Sequence, residues 1–404
     1  MAFDVIVVGG GPAGSAAGAI LARKGCRVLI LDRARFPRDK PCGDYLNPGC
    51  AAVLPRIGML DEVRAAAAPV SGMRIFAPDG ASAHTAFSER VGYTLSRRTL
   101  DQLLLSQAYR AGAIVHEDSR AVALRRDGDL LTLTTEGGRA PGRAEAHSAR
   151  LVIGADGLRS AVARFAGAGA PPRGGRYTVG GYIDRLQPLD PPCAGRPGLP
   201  GEIHLGSNRY CGVAYLPDGV ANVTIALTRR ELRTWRGRLQ SAYWAALRAF
   251  PGLGDRLAQA ALVGKLRTSG PLGYCRRQAV IGGVLLAGDA AAHMDPMTGQ
   301  GVYLAIRSAE LAASTALRAL GGGGSTRRIL RGYDHLHRRE FADAFLLSRA
   351  LQCLAFRPPV MRRAMRRMAG APEIGTRLID AIGNVHPPAS VLRPAFIARV
   401  LGFA

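Results

Sequence analysis

Gly9, Gly11 and Gly14 stand at the spacing G-x-G-x-x-G, directly after the apolar run Phe3–Val8 and at the opening of an Ala-rich stretch. In that position each glycine has its own task. The first permits a tight strand-to-helix turn, the second admits a pyrophosphate to the backbone, and the third lets helix and strand pack closely. Amides at the start of the following helix then meet the phosphates with the positive end of the helix dipole. An acid is needed at the end of the next strand to grip a ribose hydroxyl, and Asp32 supplies it 18 residues beyond Gly14. Ala13, inside the turn, and Arg33, beside the acid, complete the candidate contacts of this segment. The chemistry is capture of a dinucleotide.

Such a turn works only if regular elements hold it. Phe3–Val8 is almost continuously apolar, as a parallel strand covered on both faces must be; 12–24 follows as a helix and 27–31 as a second strand. The chain therefore opens with a β-α-β unit. Further on, 95–111 reads as a capped helix, 114–115, 121–124 and 130–134 as short strands, and 151–155 as another buried strand. Between 166 and 272, strand-like pieces such as Tyr210–Tyr215 and 221–227 lie among Pro- and Gly-rich loops. A buried strand returns at 280–286 and a long helix at 302–319. The Gly-Gly-Gly-Gly-Ser run at 321–325 reads as a loop or linker, because a helix rather than a strand precedes it. The fold class expected is α/β: a Rossmann-type, mainly parallel domain formed by 1–165 and 273–320, with an inserted β-rich substrate domain at 166–272. The segment 70–95 is a candidate to join that insert, and 321–404 forms a helical, basic C-terminal region.

At 404 residues the chain exceeds one ordinary core, and 48% hydrophobic with 21% charged residues argues against wholesale disorder. Lys and Arg number 54 against 30 Asp and Glu, a net charge of +24, and Lys occurs only at 24, 40 and 265. That excess fits a phosphorylated or membrane-borne substrate, or simply the Ala/Gly/Arg bias of a GC-rich genome. Nucleic acid is not an expected partner: no zinc-finger or helix-turn-helix signature accompanies the charge, and aromatics are only 6%. The seven cysteines (26, 42, 50, 193, 211, 275 and 353) are odd in number and lack a C-x-x-C pair, so neither a disulfide framework nor a metal site is expected. No run of 18 apolar residues and no basic leader is present, which makes the expected location cytoplasmic.

Two distant segments extend the glycine motif. The first is Leu151-Val-Ile-Gly-Ala-Asp156-Gly157, and the second runs through Gly288-Asp289 to Pro296-Met-Thr-Gly299-Gln-Gly301-Val302. Together the three resemble the FAD-dependent oxidoreductases of the glutathione-reductase-like superfamily, which includes the flavin hydroxylases. The resemblance implies one bound FAD. It implies that Asp289 holds the ribityl chain, and that the loop through Pro296 and Gly299 lies under the isoalloxazine. A helix starting near Gly301 and Val302 would bring N–H groups to the flavin pyrimidine, where negative charge collects on reduction. Arg97, in Arg-x-x-Leu-Asp101, matches a helix start whose Arg contacts FAD, with Asp101 capping or bridging, and Ala121 matches a strand position that meets adenine.

The hydroxylase pattern is broken at three places, where Ala292, Tyr303 and Ser308 replace a His, an Asn and an Asp. What remains is similar to the geranylgeranyl reductase family, as are Lys40-Pro-Cys42-Gly43-Asp-Tyr45 and the stretch from Tyr210 to Asn222. That likeness implies reduction of carbon–carbon double bonds in a prenyl chain, such as a prenyl diphosphate or prenyl lipid, or in a related secondary metabolite. An unpolarised alkene needs hydride on one carbon, a proton on the other, and an apolar tunnel that excludes water. Cys42, Tyr45 and His293 are the candidate proton donors. No second glycine fingerprint is present, so NAD(P)H must bind transiently or a small redox protein must bring the electrons. The alternative reading is a single-component FAD and NAD(P)H monooxygenase acting on an aromatic or polyketide. Residues 40–49 also resemble flavin halogenases, whose Trp-x-Trp-x-Ile-Pro motif is missing: the two tryptophans, Trp235 and Trp244, are nine apart. The basic amphipathic stretch 341–368 is a candidate for peripheral membrane contact, or packs on the substrate domain with its Arg residues facing water.

Overall fold

The computed structural model describes residues 2–138, 144–169, 175–189, 198–322 and 326–402; Cys193 and residues 323–325 of the Gly-Ser run lie outside them. Two large sheets carry the architecture. In the first, Phe3–Val8 pairs in parallel with Val28–Leu31 on one side and Glu145–Gly154 on the other, and Ile114–His116 and Val284–Leu286 extend the sheet outward, also in parallel. Val5, Ile6, Val7 and Leu29 to Leu31 are completely buried, which explains their unbroken apolar sequence. Helix Pro12–Arg23 packs between Arg97–Arg110 and Gly301–Leu320. Its Ala16, Ala17 and Ala19 are buried, and side chains this small let three helices share one face of the sheet.

The first sheet differs from expectation at 280–286. Instead of one strand, Val280–Ile281 folds back antiparallel on Val284–Leu286 through Gly282-Gly283, both at positive φ, 51° and 90°. A two-residue hairpin of this kind needs φ > 0 at both central positions, which only glycine adopts freely. Strands Ser119–Asp127, Leu130–Gly137 and the first half of Glu145–Gly154 form an antiparallel meander, with a bulge between Ala121 and Ala123.

Among the described residues the second sheet has nine strands. Arg176–Asp184, Leu199–Leu205, Tyr210–Tyr215, Ala221–Thr228 and Ala261–Leu272 are joined by Tyr45–Leu46, Ala68–Phe76, Ser82–Ala86 and Gly92–Thr94, so two separated stretches of chain build it. Leu199–Leu205 runs parallel to Ala68–Phe76 and forms the seam. Leu239–Arg248 covers one region of the sheet through Tyr243, Leu247 and the neighbouring Phe250. Thr326–Ala355, Pro358–Gly370, Pro372–Ile382 and Pro394–Leu401 follow, the last three opened by proline, whose missing N–H costs nothing at a first helical position. Leu347, Met365, Met368 and Ile374 pack with Ala77 and Ala83 of the second sheet region, and Arg362 pairs with Asp79 at 2.6 Å. The apolar face of 341–368 is therefore largely used inside the molecule. Among the described residues no helix is long and apolar enough to cross a membrane.

Candidate functional site

A cavity of about 1110 Å³ runs from the glycine turn, between the two sheets, to the helix Pro372–Ile382. Its first half is built of backbone. Gly9 adopts φ +104°, and a Cβ there would lie 2.4 Å from the Ala155 carbonyl oxygen. A Cβ on Gly14 would lie 1.7 Å from the Gly9 oxygen, so Gly14 seals helix to strand and is the one glycine of the motif that does not line the cavity. Gly11 faces the open space under two guanidinium groups, those of Arg38 and Arg97, 3.3 and 3.9 Å from its Cβ position. Both arginines share Asp101: Arg97 pairs with it bidentately at 2.8 Å and Arg38 reaches it at 3.1 Å. Arg38 Nε is buried with no hydrogen-bond partner among the described residues. The guanidinium groups of Arg38 and Arg97, both lining the cavity over the glycine turn, are fitting contacts for phosphate.

The two helices that point into this half carry no side-chain cap. Pro12–Arg23 starts at Gly11 and Gly301–Leu320 at Gln300, and neither N-cap side chain bonds the first-turn amides. By contrast, Ser96 caps Arg97–Arg110 and Ser160 caps Ala161–Phe165. Helices aimed at the cavity thus keep free N–H groups and a positive end for an anion, while those beside it satisfy theirs internally. Gly301 and Val302 line the cavity, as do Ala13, Pro296 and Gly299, the last at φ +62° with the Tyr45 ring stacked against it.

Asp32 is buried, accepting from Gly10 N–H at 2.7 Å and Ala34 N–H at 2.9 Å, and lines the cavity beside Arg33 and Ala121. Asp289 borders it opposite, with Lys40 Nζ at 3.4 Å. Burial pushes the Asp289 carboxyl up, but Lys40, His293 and Arg97 outweigh that and hold it below the usual range, so it is ionised. Gly288 sits at φ +57° against Ala13, and its N–H is taken at 2.8 Å by Ser308, the residue that replaces the hydroxylase Asp. Asp156 lines the cavity yet spends its carboxylate on Ser160 and on the amides of Ala161 and Val162, so its side chain chiefly organises a helix start; Gly157 beside it adopts φ +81°.

The three candidate proton donors all line the cavity but differ in setting. Burial pushes up the Cys42 thiol against the pull of Arg97, leaving it protonated, and Gly43 beside it borders open space. Burial likewise raises Tyr45, which keeps its phenolic proton. His293 lies over the Tyr274 ring, 6.3 Å between centroids, and its Nδ1 faces the Gly273 N–H at 3.5 Å.

Several residues that shape the site were not singled out by the sequence. Asp44, at φ +52°, accepts from the Arg97 N–H, the Tyr182 hydroxyl and the Asn222 amide, and Asn222 also donates to the Cys42 carbonyl. It ties the Cys42–Gly43 loop to both sheets. In the apolar half, among Val70, Met73, Phe87, Ile203 and Met297, stands the buried Glu202, which takes bonds from His204, Arg256 and Tyr215. Asp295 accepts from Tyr210 at 2.5 Å and fixes the loop that leads to Gly299. Asp44 sits within the motif Lys-Pro-Cys-Gly-Asp-Tyr, a signal that could have found it; the partners of Glu202 lie up to 54 residues away and leave no local pattern.

The chain matches the family model described as FAD binding domain over residues 2–189 and 263–347. It is similar to digeranylgeranylglycerophospholipid reductase 1 of Methanothermobacter thermautotrophicus, 29% identical over 84% of this chain and 83% of that protein. It is similar to menaquinone reductase of Mycobacterium tuberculosis, 31% identical over 77% of this chain and 75% of that protein. Among solved structures, a myxobacterial chondrochloren halogenase superposes over the whole chain and 96% of its own, with a TM-score of 0.78 at 23% identity. A flavin-dependent brominase covers 100% of this chain and 99% of its own, with a TM-score of 0.84 at 16% identity. At those identities the halogenases share the fold alone. With its phosphate cradle, its uncapped helix starts and these relatives, the chain belongs to the FAD binding domain family and is a geranylgeranyl reductase-like, FAD-dependent oxidoreductase.

Proposed function

We propose that this protein saturates carbon–carbon double bonds of a prenyl chain, in a lipid or a related secondary metabolite. The observation that carries the reading is the continuity of the cavity: the glycine turn and the free helix ends open without a wall into a chamber lined by Val70, Met73, Ile203, Val213, Met297 and Ile382. Relatives named for a digeranylgeranyl lipid and for menaquinone support it. Bound and reduced FAD supplies hydride. Gly9, Gly11, Ala13 and the first turn of Pro12–Arg23 would hold its pyrophosphate, Asp32 and Arg33 its adenosine end beside Ala121, and Asp289 its ribityl chain. Arg97, Asp156 and Gly157 would contact its middle, and Cys42, Gly43, Gly288 and Pro296 to Val302 would serve its ring. The apolar walls would exclude water from the cationic carbon that forms when the proton adds to the alkene and that hydride then quenches. Tyr45 Oη and Cys42 Sγ keep their protons at neutral pH and stand as donors, with His293 as the third candidate. Electrons come from transiently bound NAD(P)H or a small redox protein.

The test is anaerobic incubation of the dithionite-reduced holoprotein with geranylgeranyl diphosphate, a digeranylgeranyl glycerophospholipid and menaquinone, followed by mass spectrometry. The expected product is heavier by two hydrogens per bond reduced. No mass gain on any of the three, or a hydroxylated product formed with O₂ and NAD(P)H, sinks the reading. If Tyr45 is the donor, Tyr45→Phe lowers turnover by about 10²- to 10⁴-fold with flavin affinity unchanged, and Cys42→Ser does so if the thiol is.

A further inference from the structure

Away from the cavity's apolar half, three side chains from distant parts of the sequence meet on the first sheet. His116 ends the strand Ile114–His116, and Glu145 and His147 open the strand Glu145–Gly154. One ligand atom from each lies within 4.8 Å of the others. Glu145 and His147 are two apart on a strand and so share a face. His147 Nε2 stands 3.5 Å from Glu145 Oε2, and the His116 and His147 rings meet edge to face with centroids 5.8 Å apart. His147 Nε2 is buried and makes no hydrogen bond among the described residues. Ligands bonded at 2.0–2.2 Å around a tetrahedral ion stand roughly 3.4 Å from one another, so one pair of the three already has the needed spacing.

We infer that His116, Glu145 and His147 form a binding site for a divalent transition-metal ion of the zinc class. Two imidazoles and one carboxylate suit zinc, whereas magnesium and calcium prefer all-oxygen shells. The Glu145 side chain is 30% exposed and that of His147 13%, so an ion can enter and water can complete the shell. Its place in the fold gives it a consequence. The His116 carbonyl accepts the Asp32 N–H at 3.0 Å, and Asp32 in turn receives the Gly10 N–H. An ion at this site ties the outermost parallel strand to the start of Glu145–Gly154 and stiffens the backbone beneath Asp32. No local pattern announces it, because its ligands are 29 and two residues apart and match no familiar metal spacing.

The experiment is isothermal titration of the EDTA-treated, FAD-loaded full chain with zinc chloride. The expected result is one saturable equivalent per chain, with magnesium chloride giving none. Glu145→Gln and His147→Ala are expected to weaken binding at least about tenfold while flavin content per chain stays unchanged. Glu145→Gln is nearly isosteric and partly exposed, so it keeps the test valid should the histidine variant not fold. Absence of saturable zinc binding to the wild type, equal binding of magnesium, or an unaltered affinity in Glu145→Gln, which would put zinc on a thiol such as the exposed Cys353, overturns the inference.

Discussion

The two halves of the cavity are rigid for opposite reasons. Around Gly9 to Gly14, Gly288 and Gly301 the polar surface is backbone, and its accuracy depends on the absence of side chains: close approaches of 1.7 to 2.9 Å would greet a Cβ at Gly14, Gly9 or Gly288. Around Glu202, Asp44 and Asp295 the polar surface is side chain, and its accuracy depends on each buried acid having every partner present. The first half is thus vulnerable to an added carbon and the second to a lost bond. Both answer the same need, since a buried polar group without a fixed partner is costly wherever it sits.

The largest effect is expected from Gly14→Ala. Its methyl group would occupy the position of the Gly9 carbonyl oxygen, so strand and helix must separate and the phosphate turn cannot form. Flavin absorbance per chain, measured after gel filtration, is expected to fall to near zero. A variant that retains full flavin would show that side-chain contacts, not backbone, govern the first half.

The second half is probed by Arg256→Met. Burial pushes the Glu202 carboxyl up, but the bonds from His204, Arg256 and Tyr215 outweigh it and hold it at about 2 rather than 4.5. A folded value below the unfolded one stabilises the protein above pH 4.5, and that stability, about 3 kcal/mol, is lost as pH falls toward 2. Removing Arg256 leaves a buried carboxylate short of its cation and is expected to cost about 3–5 kcal/mol near neutral pH. Urea unfolding across pH is the measurement: the variant should lose less than the wild type on acidification, because much of the Glu202 contribution is already gone. Equal acid sensitivity in the two proteins would mean that Glu202 is not held by this network.

That contrast also explains what the sequence disclosed. Glycine motifs are local, each confined to one short stretch that follows a strand, so the glycine turn, Asp32, Asp289 and the helix start at Gly301 are readable in order along the chain. The hairpin at 280–286 reads as one strand because its apolar residues mask the Gly282-Gly283 turn inside them. The second sheet is built by pairing strands from 45–94 with strands from 176–272, and the hydrogen bonds of Asp44 span 53 to 178 residues. No periodicity encodes such pairings. The basic amphipathic segment at 341–368 shows the remaining ambiguity: an apolar stripe states that something covers it, and here Ala77 and Ala83 of the same molecule do so.

A smaller effect is expected at the junction of the halves, from Asp44→Asn. Asparagine tolerates the left-handed backbone at φ +52° and still accepts from the Arg97 N–H, so the loop can form. With its one oxygen kept on the Arg97 N–H, its NH2 takes the place of Oδ2, the oxygen to which both Tyr182 and Asn222 donate, and the Asn222 amide loses that acceptor. Stability is expected to fall by about 1–3 kcal/mol, read from the urea midpoint, with weaker flavin retention because the Cys42–Gly43 loop loses its tie. Loss of stability without any change in flavin affinity would separate Asp44 from the cofactor half.

Gln300 offers the mildest test, because it belongs to both designs at once. As the residue before Gly301 it opens the helix whose free amides face the cavity, yet its side chain turns away from them and donates to the Ile382 carbonyl at 2.7 Å, holding Pro372–Ile382 against the chamber. Gln300→Ala removes that neutral hydrogen bond and the longer one its Oε1 accepts from the Thr298 hydroxyl at 3.4 Å, and is expected to cost about 1 kcal/mol, with flavin binding intact because the backbone amides of Gly301 and Val302 are untouched. The effect should instead appear as a raised KM for the substrate proposed above, since Ile382 lines the chamber. Gln300→Glu should cost more than the alanine variant, because an ionised carboxylate would face a carbonyl oxygen it cannot bond. If the alanine variant loses flavin while KM is unchanged, the side chain serves the cofactor half after all, and the division between a backbone-built and a side-chain-built half fails at their meeting point.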